Sequence, residues 1–131
     1  MSGPKVKDPG EAPEGWEGYV SAFVEGQCKC VYCGFRGTRY STWRQLVVDH
    51  FIPAAAGGED SARNYVVCCY RCNNFKGSYD PGGRRYTHLP AEKKERTALI
   101  KKTRVEIRKR ERKQRRHDFY LAIERKIKLA T

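Results

Sequence analysis

Two C-x-x-C pairs, C-V-Y-C at Cys30 and Cys33 and C-Y-R-C at Cys69 and Cys72, stand 35 residues apart in a chain of 131. Each pair lets two thiolates curl around one tetrahedral ion at about 2.3 Å, and two such knuckles predict a single four-sulfur site. For them to meet, residues 34–68 must fold back on themselves. A chain this short buries a limited fraction of its surface, so a metal staple contributes much to its stability. The ion that four cysteines select is Zn²⁺, and with no open coordination position it is structural. Cys28 and Cys68 are left over. Either could replace its neighbour as a ligand, but the C-x-x-C spacing forms a knuckle without strain and favours Cys30, Cys33, Cys69 and Cys72. Cys68 then reads as a small core residue on a strand. The competing reading, six buried or disulfide-bonded cysteines, fits the paired spacing poorly.

The fold-back is written between the knuckles. R-Q-L-V-V-D-H-F-I-P reads as an apolar strand ended by Pro53, A-A-A-G-G-E-D-S-A-R as a hairpin loop, and N-Y-V-V-C-C as the return strand. A short helix from about Tyr70 to Lys76 stops at Gly77. Upstream, Trp16, Tyr19, Val20 and Phe23 recur at helical spacing, which predicts a short amphipathic helix ending near Gly26 and packed on the core. Residues 1–14 carry Pro4, Pro9 and Pro13 among charged residues and read as a disordered leader.

The loop and return strand bring Asp49, His50, Asn64, Asn73 and Lys76 into one compact unit. The order of its parts resembles the HNH nuclease family: a cysteine knuckle, D-H-x-x-P, a glycine pair, an Asn followed by a strand, then C-x-x-C-N-x-x-K-G. The match spans roughly residues 28–77. The resemblance implies an α+β fold, a small ββα-metal core (the His-Me finger) that presents a divalent ion, Mg²⁺ or Mn²⁺, to a scissile phosphate. It implies an endonuclease that hydrolyses DNA and leaves 5′-phosphate and 3′-hydroxyl ends. By similarity, Asn73 is the second ligand of that ion, with Asp49 the first, and Asn64 bonds backbone across the loop and holds His50 in orientation. Residue chemistry points the same way: an imidazole with a reference pKa of about 6.5 can accept a proton from water near neutral pH, which makes His50 the candidate general base. Asp49 offers a hard carboxylate oxygen. For adjacent strand residues to share one site, the chain must bend out of regular alternation there. Arg71 and Lys76 are expected to contact phosphates beside the break. The alternative is a zinc-dependent nucleic-acid-binding protein without catalysis, in which His50 is structural.

After Pro90 the composition changes. Residues 91–131 hold 16 Lys and Arg against 6 Asp and Glu and contain neither Gly nor Pro, which favours one long helix or two joined ones. The chain therefore divides into the leader, a nuclease unit over 15–90 and a basic helical extension over 91–131. From Lys101 to Arg116, ten of sixteen residues are Lys or Arg, a density that self-repels unless phosphates or counterions compensate. Lys101, Lys102, Arg104, Arg108, Lys109, Arg110, Arg112, Lys113, Arg115 and Arg116 are accordingly expected to bind nucleic-acid backbone without reading bases. The charge itself says only polyanion, DNA or RNA. Tyr120, Ile123 and Ile127 restore an apolar stripe that would dock on the core or on a second copy, giving a homodimer. No apolar run approaches the roughly 18 residues of a membrane span, and the cysteine usage suits a reducing cytoplasm.

Overall fold

The computed structural model describes residues 16–130; the expected leader lies outside them. Helix α1 (Glu17–Glu25) leads into the first knuckle. There Lys29 and Arg36 form an isolated antiparallel bridge, and Gly34, at φ +81°, turns the chain between Cys30 and Phe35. A short helix α2 (Tyr40–Trp43), which the apolar pattern does not announce, precedes strand β1 (Leu46–His50). After a loop with two 3₁₀ turns, β2 (Tyr65–Cys69) pairs antiparallel with β1, from Leu46 opposite Cys69 to His50 opposite Tyr65. Helix α3 (Tyr70–Lys76) follows without a break. Helices α4 (Lys93–Arg115) and α5 (Asp118–Ala130) complete the order. The core is thus a ββα unit in a small α+β fold.

The sheet's pairing sorts its side chains. Val48, His50, Tyr65 and Val67 share one face, and α1 packs there: Tyr19 meets Tyr65 edge-on with ring centroids 5.0 Å apart. Asp49, Val47, Val66 and Cys68 share the other. Cys68 is fully buried, as a core cysteine should be. The long loop closes tightly because residue 58 is glycine: a Cβ there would stand 1.7 Å from the Ile52 carbonyl oxygen.

The basic extension forms the two joined helices. Leu99, Thr103 and Ile107, at i, i+4 and i+8, bury one seam of α4, which packs against α3. Its start is capped by Glu92, whose carboxylate accepts from the backbone N–H groups of Lys94 and Glu95. The helices part at Arg116 and His117 with no glycine or proline. His117 Nδ1 accepts from the Phe119 N–H at 3.3 Å and so starts the next helix. The stripe expected to dock stays exposed, with Tyr120 at 38%, Ile123 at 42% and Ile127 at 58%. No described helix is long and apolar enough to cross a membrane.

Candidate active site and cysteine centre

The four cysteines of the two knuckles converge, their sulfurs all within 4.8 Å of one another. Cys33 Sγ and Cys69 Sγ are 3.7 Å apart, close to the edge of about 3.8 Å of a tetrahedron with 2.3 Å arms. Backbone geometry prepares them. Cys30 Sγ accepts from the Cys33 N–H, and Cys69 caps α3 by accepting from the Cys72 N–H at 3.5 Å. Without a cation the sulfurs compete. The Cys72 hydrogen bond holds the Cys30 thiol down, to about 4, while the same pairing pushes Cys72 up. A bound Zn²⁺ removes that conflict, since coordinated thiols are all deprotonated. The donor set therefore fits zinc, and Cys28 and Cys68 stand outside it.

Asp49 and His50 end β1 and point to opposite faces. The expected bend is absent: pairing stays regular through Asp49 opposite Val66 and His50 opposite Tyr65. Because His50 is the strand's last residue, its ring stands at the sheet's end, 35% exposed. Its Nε2 lies 2.8 Å from Asp60 Oδ1, and the Tyr65 hydroxyl donates to that same oxygen at 2.6 Å. The Tyr65 ring meets the imidazole edge-on at 5.2 Å. These two donors hold the Asp60 carboxyl below its ordinary range, with Tyr65 the larger influence, and in return Asp60 raises the Tyr65 phenol to about 12. With Asp60 on Nε2, the imidazole's Nδ1 is left to accept a proton. Sequence reasoning missed both partners, because a loop carboxylate ten residues downstream gives no sign of where it returns.

Asp49 is held from the other side. Its Oδ2 accepts from the hydroxyl of Tyr32 at 3.2 Å and pairs with Lys76 Nζ at 2.9 Å. Lys76 also donates to the His50 carbonyl and is fully buried. This corrects the expectation that Lys76 contacts phosphate, for its ammonium is turned inward. A buried cation must be paired, and Asp49 is its partner. Tyr32, placed inside the first knuckle, was likewise missed. Burial pushes its phenol well above the ordinary range, which keeps it a proton donor. Asp49 Oδ1 and the Asn73 amide, on α3 where it packs against β1, carry no hydrogen bond among the described residues. Two uncommitted oxygen donors of this kind suit a hard divalent cation.

Asn64 is the loop's tie. Fully buried, it donates through Nδ2 to the carbonyls of Ile52 and Glu59 and accepts at Oδ1 from the Ile52 N–H, while its own carbonyl accepts from Phe51 N–H. Two of its three side-chain bonds, both to Ile52, thus fix the chain directly after His50, and the third ties in the loop at Glu59. Glu59 in turn is clamped by Arg63, which holds its carboxyl down to about 2.

Of the cations expected to face nucleic acid, several are committed to the protein instead. Arg104 donates to the carbonyls of Tyr32 and Val31, Arg110 to those of Phe75 and Lys76 at the end of α3, and Lys102 to that of Pro81. Arg71 pairs with Glu111, and Arg115 with Glu124. Lys101, Arg108, Lys109, Arg112, Lys113 and Arg116 are exposed, with no ion pair among the described residues.

The family model described as HNH endonuclease matches residues 30–78, from the first knuckle to just past α3. This segment of the chain is an HNH domain. Over 52 residues the chain is 38% identical to a CRISPR-associated endonuclease Cas9 from Corynebacterium diphtheriae, a match covering 39% of this chain and 4% of that protein. A solved structure, the Type II-C Cas9 enzyme from Actinomyces naeslundii, aligns with 77% of this chain and 12% of its own at 23% identity and a TM-score of 0.42. The chain therefore spans a small part of the length of either. Within the HNH match lie both knuckles, Asp49, His50, Asn64, Asn73 and Lys76.

Proposed function

We propose that the HNH domain hydrolyses phosphodiester bonds of DNA with the help of a divalent ion, and that zinc in the cysteine centre holds the domain together. The observation that carries this reading is the end of β1, where the imidazole of His50, about a third exposed, meets Asp60 through Nε2 at 2.8 Å while the preceding Asp49, on the other face of the strand, keeps one carboxylate oxygen uncommitted among the described residues. His50 takes the proton of the attacking water at Nδ1, and Asp60 stabilises the imidazolium that forms. Asp49, with Asn73 from α3, would hold Mg²⁺ or Mn²⁺; such an ion neutralises charge that develops on the phosphate and the leaving oxygen. Asn64 keeps the loop after His50 in register, so the imidazole meets its water without reorganisation. Those exposed cations of α4 that are unpaired among the described residues hold the backbone of the strand being cut.

Nicking of supercoiled plasmid by the zinc-loaded chain, with Mg²⁺, Mn²⁺ or EDTA, tests the reading. Metal-dependent cleavage that falls by at least about 100-fold in His50→Ala, the usual worth of a general base, is the expected result. DNA binding without cleavage by the wild-type chain would instead leave a zinc-dependent binding protein.

A further inference from the structure

The first knuckle does more than hold sulfur. Between Cys30 and Cys33, Val31 stays half-buried while Tyr32 turns inward, 1% exposed, and delivers its hydroxyl to Asp49 Oδ2 at 3.2 Å. The ring has little freedom to leave. The Val31 N–H donates to the Val67 carbonyl on β2 at 2.9 Å, and Arg104 from α4 grips the carbonyls of Val31 and Tyr32. Sheet, long helix and sulfur cluster thus fix the backbone on either side of the tyrosine.

Two donors, Tyr32 and Lys76, converge on one oxygen of Asp49, and among the described residues none reaches the other. Engaging Oδ2 twice locks the rotation of the carboxylate and leaves Oδ1 as its open face. The two donors differ in kind. Lys76 brings a full positive charge that opposes a second cation nearby, whereas the phenol fixes the oxygen without adding charge.

We propose that Tyr32 is a positioning residue for the divalent ion: it orients Asp49 Oδ1 toward the metal, and so couples the integrity of the cysteine centre to the affinity of the hydrolytic site. The inference rests on the reading of Asp49 as a ligand of that ion. Tyr32 touches neither substrate nor metal and acts through the carboxylate alone.

Mn²⁺ binding to the zinc-loaded full chain, followed by the electron paramagnetic resonance of free Mn²⁺, tests this in wild type, Tyr32→Phe and Asp49→Ala. Phenylalanine keeps every ring carbon, so zinc content and melting temperature check that the variant is folded. Tyr32→Phe is expected to weaken Mn²⁺ binding about fivefold, the effect of one missing hydrogen bond, with DNA affinity unchanged. The Mn²⁺ concentration for half-maximal nicking should rise by the same factor, and saturating Mn²⁺ should restore the rate. A purely structural tyrosine would lose rate at every metal concentration, and that result overturns the proposal. Unchanged Mn²⁺ affinity in Tyr32→Phe, with binding lost in Asp49→Ala, overturns the role of Tyr32 and leaves the ligand reading standing. Binding unchanged in both variants overturns both.

Discussion

At the scale of single residues, the site is governed by which oxygens and nitrogens are already spoken for. Asp60 has one task visible in the structure, accepting from Tyr65 and meeting His50 Nε2. Asp60→Asn should therefore leave folding nearly intact, since the carboxylate is exposed, while slowing nicking by about tenfold or more through loss of imidazole orientation. Single-turnover rates beside urea melts separate the two effects. The Tyr65 phenol, raised to about 12 by that same carboxylate, gives a pH signature. Between an ordinary value near 10 and 12 the folded chain keeps a proton that the unfolded chain loses, so this contribution to stability is full below pH 10 and falls away as pH rises toward 12. Tyr65→Phe should flatten that alkaline limb in melts taken across the range. Lys76 behaves oppositely to a surface lysine. Lys76→Ala leaves the nearly buried Asp49 charge unpaired and should cost about 3–5 kcal/mol in urea unfolding, where a solvated lysine facing phosphate would have cost almost nothing. Asn64, His50 and the four clustered cysteines were legible in the sequence as candidates because motif spacing names them. Tyr32 and Asp60 were not, because a tyrosine inside a knuckle and a loop aspartate acquire their partners only when the hairpin closes.

At the scale of elements, local chemistry announced most boundaries. Both strands lie within the apolar runs, though β1 ends at His50, short of Pro53, and β2 begins one residue after Asn64, while α3 ends at Gly77. The four-residue α2 escaped because one turn carries no periodicity, and the two joined helices were allowed for but not the place of their break, because a histidine side chain, rather than a glycine, makes it. The bend expected at Asp49 and His50 arose from requiring two neighbours to face one site. The ladder stays regular instead, so the two side chains leave the end of β1 on opposite faces. What joins these short elements is the cysteine centre, which draws sulfurs from the turn after α1, from the end of β2 and from the first turn of α3. A two-stranded sheet is marginal alone. Cys72→Ser, or a strong chelator, should therefore abolish cooperative unfolding of the hairpin and α3 rather than merely lower its midpoint. Hydrogen exchange at Val66–Cys69 measured with and without zinc reads this directly.

At the scale of the whole molecule, the charge of the extension divides into two populations that composition alone cannot distinguish. One holds the fold: Lys102, Arg104 and Arg110 use their charge to satisfy carbonyls of Pro81, the first knuckle and the end of α3. The other, exemplified by Arg112, Lys113 and Arg116, is exposed on the last turn of α4 and its cap, where no apolar side chain is available to bury. Cations near a helix C-terminus are favoured by its dipole, which offsets part of their mutual repulsion, and the remainder is relieved when phosphates replace loosely held counterions. The two populations should respond differently to truncation. Arg112→Ala, Lys113→Ala and Arg116→Ala together should keep the melting temperature within about 2 °C and lower the slope of log K against log salt by about 2–3, near 0.9 for each phosphate no longer neutralised. Arg104→Ala or Arg110→Ala should do the reverse, leaving the slope unchanged while costing about 1–3 kcal/mol of stability as buried carbonyls go without a charged donor. Fluorescence-anisotropy titrations of one duplex at several salt concentrations, paired with thermal melts of the zinc-loaded variants, measure both quantities. If both sets change the slope alike, α4 meets nucleic acid along its whole length, and the inward hydrogen bonds of Arg104 and Arg110 must open on binding.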